Sequence, residues 1–473
     1  MTYTNKAMLI RRELFRRICE IILNVGDLSQ IDRIPYEMRP KNRGSMRCCV
    51  HKDRAVLRYK LLAILGHDPN NEEDELKRLE QYARESLNNN TDKPVLSVVD
   101  EACSSCVRKN YLVTNACKGC VARPCQMNCP KEAIEFHNGR AFINPDRCVN
   151  CGLCMKACPY HAIIFQPVPC EEVCPVNAIY KDDSGNERID DDKCIHCGKC
   201  LQACPFGAVV ENSDLIKVAY ELKQGNPLIA MPAPSIVGQY NTGIAEVKVA
   251  LKEIGFSGVK EVAQGAEITA EKEAKELEEK KKAGELLTTS CCPAYVELVK
   301  KHLPQLEKNV STTKSPMVYT SRQIREEYPE AKSVFMGPCV AKRKEAENTE
   351  EVDYVLSFEE VGALFMALGI DVSGFYGEMN DEASKEAREF AFSGGVTEAV
   401  MTNLNIEEPI KKDRIDGLDK KSLRRMKRLS KEKPDFLEVM ACEDGCAGGP
   451  TSVVSAGTVK KKMTEMFKKN LVG

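Results

Sequence analysis

The spacing of apolar residues changes character three times along this chain, and each change predicts a different kind of structure. Within the first 66 residues, Leu9, Ile10, Leu14, Phe15, Ile18 and Ile22 recur near the helical period, which predicts an amphipathic helix. Arg11, Arg12, Arg16 and Arg17 fall mostly on its other face and read as a solvated basic surface. From His67 to Pro94 the sequence turns polar, predicting a charged helix that ends in a linker, with a boundary near residue 95. Between residues 103 and 204 long apolar runs are scarce. After Asn212, strand-length runs such as LIAMPAP, SVFMGPC and VDYVLSF alternate with helical stretches such as VKVALKEIGF, an α/β pattern. The expected organisation is a helical N-terminal region over 1–95, a middle region over 96–211 and an α/β unit over 212–473.

Composition narrows the function classes. With 473 residues the chain is too long for one ordinary core. Its 68 basic and 70 acidic side chains give a net charge of -2, so no bulk field favours nucleic acid or an anionic membrane. The N-terminal segment mixes arginines into its apolar residues, unlike a secretory signal, and no stretch of about 18 uncharged apolar residues predicts a membrane span. A cytoplasmic protein is expected. The 24 cysteines cluster with metal-ligand spacing rather than as a disulfide framework.

Sixteen of those cysteines lie between residues 103 and 204, so the fold there must depend on metal. Cys148, Cys151, Cys154 and Cys158-Pro159 form the bacterial ferredoxin run, and Cys194, Cys197, Cys200 and Cys204-Pro205 repeat it. In such runs three thiolates on one tight loop hold three irons, while the fourth, before proline, reaches the neighbouring cluster. Cys117, Cys120, Cys125 and Cys129-Pro130 supply the other half of the first pair. One [4Fe-4S] cluster is therefore assigned to Cys117, Cys120, Cys125 and Cys158, and a second to Cys129, Cys148, Cys151 and Cys154. A third falls to Cys174, Cys194, Cys197 and Cys200. Cys103, Cys106, Cys170 and Cys204 remain, as a fourth cluster or a zinc site. The middle region thus reads as tandem ferredoxin-like modules carrying three to four [4Fe-4S] clusters. Cys48 and Cys49 are adjacent and carry no assigned role.

Five cysteines follow residue 212, in three loops: Thr289–Tyr295 (TSCCPAY), Met336–Glu345 (MGPCVAKRKE) and Glu438–Pro450 (EVMACEDGCAGGP). These resemble, in order and spacing, the three signature segments of the [FeFe]-hydrogenase catalytic domain. The resemblance spans residues 95 to about 455 and includes APS (Ala233–Ser235), KEAKEL (Lys272–Leu277), KSP (Lys314–Pro316) and GGVTEA (Gly394–Ala399). It implies a two-lobed iron-hydrogenase domain and an H-cluster: a [4Fe-4S] cube bridged to a two-iron centre bearing CO, cyanide and a dithiolate. By match to the family motifs, Cys292, Cys339, Cys442 and Cys446 would hold the cube, Cys446 as the bridging ligand. Ser235 and Met440 would lie against the cofactor. Cys291 would relay protons, Lys342 would pair with a cyanide, and Glu276, Ser315 and Glu273 would form the proton path. The implied activity is reversible proton reduction to H2, with ferredoxin or a similar carrier as partner and with maturation factors that load the site.

The sequence departs from common family members at Gly337, where methionine usually precedes the proline, at Ala294-Tyr295 in place of Gly-Trp, and at Glu443-Asp444. Gly449-Pro450 shortens the usual glycine run, and residues 396–437 are shorter than the family's equivalent. These features resemble the divergent group B branch and bear on rate, bias and oxygen sensitivity. The competing readings are a non-enzymatic iron-sulfur assembly factor of the Nar1 type and a slow H2-sensing homologue. Retention of Cys291, Cys292 and Lys342 favours the enzyme.

Overall fold

The computed structural model describes residues 5–42, 44–88, 93–104, 106, 110–377, 382–406, 408–429 and 434–469. The architecture is mixed α/β: a helical N-terminal region, ferredoxin-like modules and a catalytic-type unit built on two parallel sheets. Among the described residues no helix is long and apolar enough to cross a membrane.

Helix α1 (Lys6–Glu20) starts at Asn5, whose side chain accepts from the Met8 amide, and buries Leu14, Phe15, Ile18 and Cys19. Leu9 points to solvent instead, 52 % exposed. The arginine face also differs from expectation. Arg11 and Arg12 both pair with Glu359, a fully buried carboxylate at the start of helix α7 (Phe358–Ala367), against which α1 packs. A helical repeat identifies which residues share a face, but not that another element lies across it. Arg16 and Arg17 behave as expected of a surface, pairing with Glu13, Glu20 and Glu37. Helix α2 (Val50–Ile64) completes the region's core with Val56, Leu57, Leu61 and Leu62.

The middle region opens with strand β1 (Leu96–Val98) and closes with strand β2 (Val209–Glu211), which pair antiparallel. Between them lie three two-stranded antiparallel ribbons, pairing Asn110–Val113 with Ile163–Gln166, Ile134–His137 with Arg140–Ile143, and Ile179–Lys181 with Glu187–Ile189. Short helices carry the cysteine runs between the strands. Cysteine side chains make up much of the small interior here, which explains the scarcity of apolar runs.

Beyond residue 212, strands β3 (Leu228–Pro232), β4 (Gly258–Val259), β6 (Lys332–Met336) and β7 (Tyr354–Leu356) form one parallel sheet of order β4-β3-β6-β7. Strands β5 (Leu287–Thr288), β8 (Lys412–Asp416) and β9 (Phe436–Met440) form a second, of order β5-β9-β8. Every residue of β3 and β9 is buried. Strands covered on both faces read as continuous apolar runs, and LIAMP is one.

A buried ionic cluster joins the three regions. Arg343 donates to Glu360 (2.6 Å) and to the Val355 carbonyl (2.6 Å), and lies 3.7 Å from Glu211 of β2. All three side chains are buried. Replacing Arg343 with methionine would leave Glu360 and Glu211 buried without their counter-charge. Removing one partner of a buried pair costs about 3–5 kcal/mol, so R343M is expected to lower the thermal midpoint by several degrees in calorimetry. An unchanged midpoint would contradict the interlocking role given to this cluster.

Candidate active site and its approach

Loops at the carboxyl ends of parallel strands are where open α/β sheets place their ligands, because helix N-termini and free backbone groups gather there. Here four strand ends from two sheets face one another. Ser235 follows β3, Cys291 and Cys292 follow β5, Cys339 follows β6, and Cys442 and Cys446 follow β9. Cys292 is the N-cap residue of helix α4 (Pro293–His302), and Ser315 that of helix α5 (Pro316–Glu327). Cys339 lies just ahead of helix α6 (Ala341–Thr349). Three positive helix ends are thus directed at the thiols, which favours negative charge between them.

Ser235, Cys291, Pro316, Phe335, Lys342, Met440 and Cys446 all line one mostly apolar pocket at this junction. Burial raises every thiol of the set: Cys291 and Cys442 well above their usual range, Cys292 upward, Cys339 to about 12 and Cys446 to about 11. Left empty, the site would hold neutral thiols, so loading a metal group must expel protons. Two observations fit an anionic metal group here. The buried Ser235 hydroxyl has no partner among the described residues, and the Lys342 ammonium lines the same cavity. Lys342 also donates to Ser315 Oγ (2.9 Å) and Glu345 (2.6 Å).

Those bonds correct the expected proton path. Ser315 is engaged with Lys342 and does not bridge the two glutamates. Ser311, four residues earlier, donates its hydroxyl to Glu276 at 2.7 Å. Glu273 and Glu276 lie one helical turn apart on helix α3 (Val262–Lys282). Glu273 is fully buried and accepts from the Ser290 amide (3.1 Å) and hydroxyl (3.3 Å), next to Cys291. Its second oxygen has no partner within bonding geometry among the described residues, although Ser311 stands close enough to act on its charge. Burial pushes Glu273 up to about 7, against the pull of Ser290. A protonated Glu273 could donate to Ser311, which already donates to Glu276, a half-buried carboxylate. Sequence matching chose Ser315 because KSP is the recognisable motif; which serine faces α3 depends on how the segment before α5 crosses that helix.

The divergent positions have local explanations. The Phe335 ring lies 2.6 Å from where a Cβ on Gly337 would stand, so this ring covers ground a longer residue would otherwise fill. Tyr295 is fully buried and its hydroxyl donates to Thr288 (2.8 Å). The GGVTEA segment is held by Glu438, which accepts from the Gly394 and Thr397 amides and the Thr397 hydroxyl (2.6, 2.8 and 2.7 Å).

Most cysteines of the middle region gather in two cores of packed side chains. Cys117, Cys125, Cys129, Cys148, Cys154 and Cys158 share one small core. Within it burial and then Cys120 and Cys158 raise Cys125, while Cys129, Cys148, Cys151 and Cys154 line one cavity. Cys103, Cys106, Cys170, Cys174, Cys194, Cys200 and Cys204 share another core. Cys170 is pushed up to about 12 by burial, with Glu187 and Cys204 adding to it. Cys197 turns toward the catalytic-type unit, sharing a core with Cys292 and Cys339. Gly198, at φ +74°, allows that approach: a Cβ there would stand 2.7 Å from the Pro450 ring and 3.0 Å from Val340. Gln202 donates to the Pro450 carbonyl (3.1 Å), and Lys301 to the carbonyls of Asp191 and Cys194 (2.8 Å each).

Comparison with known proteins agrees with this geometry. Residues 226–450 match the family "Iron only hydrogenase large subunit, C-terminal domain", residues 169–208 a 4Fe-4S dicluster domain and residues 141–164 a 4Fe-4S binding domain. Residues 226–450 are [FeFe]-hydrogenase-like. The chain is 26% identical to iron hydrogenase 1 of Clostridium pasteurianum over 50% of this chain and 51% of that one. It is 26% identical to the NADP-reducing hydrogenase subunit HndD of Solidesulfovibrio fructosivorans over 68% of this chain and 58% of that one. The chain therefore spans little more than half the length of these two relatives. A solved [FeFe]-hydrogenase from Chlamydomonas reinhardtii overlaps 50% of this chain and 84% of its own, at 18% identity and a TM-score of 0.41. The matched domains make this an iron-sulfur protein.

The buried glutamate yields a pH prediction. Unfolded, Glu273 loses its proton near 4.5; folded, it keeps it to about 7. Its contribution to stability is therefore fully present below 4.5 and is lost as pH rises through 7. Glu273→Gln does not titrate, so its melting temperature relative to wild type should climb between pH 4.5 and 7 and level off above. A pH-independent difference in differential scanning fluorimetry would show that Glu273 is not held neutral.

Proposed function

We propose that this chain is a hydrogenase that interconverts protons and electrons with H2. The reading rests above all on one observation: Cys291, Cys446, Lys342 and the unpartnered Ser235 hydroxyl meet in a single apolar pocket, with the carboxylates Glu273 and Glu276 behind Cys291. Cys292, Cys339, Cys442 and Cys446 would hold a [4Fe-4S] cube, and the cavity beside Cys446 would take the two-iron centre. That group would supply the metal at which H2 forms or splits. The protein would place the charged Lys342 and the Ser235 hydroxyl against its anionic ligands, exclude water with Phe335 and Met440, and move protons through Cys291, Glu273, Ser311 and Glu276.

Electrons would reach the cube from the cluster of Cys174, Cys194, Cys197 and Cys200, for which the contact of Gly198 with Pro450 and Val340 is the supporting observation. Residues 96–211 would form the cluster-carrying unit, since the pairing of β1 with β2 brings its two ends together. Residues 1–95 and 212–473 would be its neighbours. Cys103, Cys106, Cys170 and Cys204 would hold a fourth [4Fe-4S] cluster, with zinc as the alternative. The external partner would be ferredoxin or a similar low-potential carrier in the cytoplasm, with maturation factors loading the site.

Infrared spectroscopy of anaerobically matured protein is expected to show bands from iron-bound CO and cyanide. Their absence after maturation that loads a known hydrogenase would favour the assembly-factor reading. With bands present, Cys292→Ala should abolish them. Cys291→Ala should keep them and lower H2 evolution by at least the roughly 10²-fold typical of a lost acid-base group. Equal loss of the bands in both variants would mean that the two cysteines have been assigned the wrong way round.

The corrected relay carries its own test. Ser311→Ala should slow turnover by at least tenfold without altering the infrared bands. Ser315→Ala, which frees Lys342, should shift the cyanide bands instead. The reverse pattern would return Ser315 to the path.

A further inference from the structure

The N-terminal helical region has no role in the reading above, yet it places a charge against the middle region. Lys60 of α2 is only 6 % exposed, and no hydrogen-bond or ion-pair partner is found for it among the described residues. It lines a small pocket with Asn5, Arg11, Leu201, Cys204, Gly207 and Glu211. Its ammonium nitrogen lies against the loop that follows Cys204: a Cβ on Gly207, at φ +60°, would stand 3.0 Å from Lys60 Nζ and 2.8 Å from Ala7 of α1. Arg47 holds the same loop from the other side, donating to the Phe206 carbonyl (3.3 Å). Glu211 lies across the cavity, but the cations acting on it are Arg343 and Arg11; burial and then Arg11 and Arg47 oppose the charge of Lys60, and Cys204 is the group that favours it.

A buried, unpaired ammonium is costly unless something nearby supplies negative charge. A [4Fe-4S] cluster bound by four thiolates is such a group, and each electron it accepts adds one more negative charge. The potential of an iron-sulfur cluster responds to local charge, hydrogen bonds and solvent exposure. We propose that Lys60 is a positioning residue for the cluster of Cys103, Cys106, Cys170 and Cys204, which it sets at a higher reduction potential than the chain would otherwise give it. The proposal rests on the ligand set assigned above. In this arrangement the helical region shields that cluster from water, and Lys60 stabilises its reduced form, so one electron can wait there while the second needed for H2 arrives.

The test is an EPR-monitored redox titration of the anaerobically reconstituted full chain, with iron content measured on each sample. Cys103→Ser identifies the signal of this cluster by removing it. Lys60→Met keeps the aliphatic stem and removes the charge. It should leave iron content unchanged and lower the midpoint of that one signal by at least 59 mV, a tenfold change in a one-electron equilibrium. Lys60→Gln, with a polar but neutral head, should shift it in the same direction, and Lys60→Arg should restore the wild-type value. If Cys103→Ser removes a cluster but neither neutral variant moves its potential, Lys60 does not tune it. If Cys103→Ser removes no cluster, the ligand assignment fails and the proposal with it.

Discussion

Desolvation of thiols is the constraint on which the rest of this structure depends. Sixteen cysteines crowd into a middle region with little apolar material, and five more converge behind the two parallel sheets. Every thiol around the catalytic cavity is pushed upward by burial, so as free cysteines they would be neutral and poorly satisfied. Metal resolves this by exchanging their protons for iron. Folding of the middle region and loading of the site are then coupled processes, as in other small domains whose interior is made of ligands.

The parallel sheets provide the geometry that a buried metal group needs. Short β5, fully buried β9 and β6 all end at the same place, so three separate loops deliver thiols without any of them having to be long. Helices α4, α5 and α6 begin there and turn their amide ends inward. On the proposed reading the same arrangement would separate charge carriers: protons would use the face of α3, where Ser311 donates to Glu276, and electrons would enter where Gly198 brings the Cys197 loop against Pro450. A metal site that must receive both without short-circuiting requires such a division.

The N-terminal helices extend this logic outward. Their arginines neutralise Glu359, which would otherwise be a lone carboxylate in the core, and Arg343 does the same for Glu360. Buried ion pairs contribute little net stability compared with apolar packing, but they tolerate only one arrangement of the pieces. Three regions that meet through such pairs are fixed in register, and cluster-to-cluster distances are fixed with them.

Much of this was readable in the residues before any fold was known. The cysteine runs name their own chemistry, because ligand spacing along the chain is set by the size of a cluster and barely depends on what surrounds it. The lining of one cavity by Cys129, Cys148, Cys151 and Cys154 agrees with that local rule, whereas Cys103, Cys106, Cys170 and Cys204 pack in one core with Cys174, Cys194 and Cys200. The alternation of apolar runs after residue 212 likewise reflects strands covered on both faces. What the sequence could not determine were contacts between segments far apart in the chain. Ser311 rather than Ser315 faces α3, Arg11 and Arg12 meet Glu359 rather than water, and Lys60 comes to rest beside Cys204. Local spacing specifies which atoms can bind one metal group, whereas the partner of a lone hydroxyl or ammonium depends on how whole elements pack, and only the tertiary structure decides that.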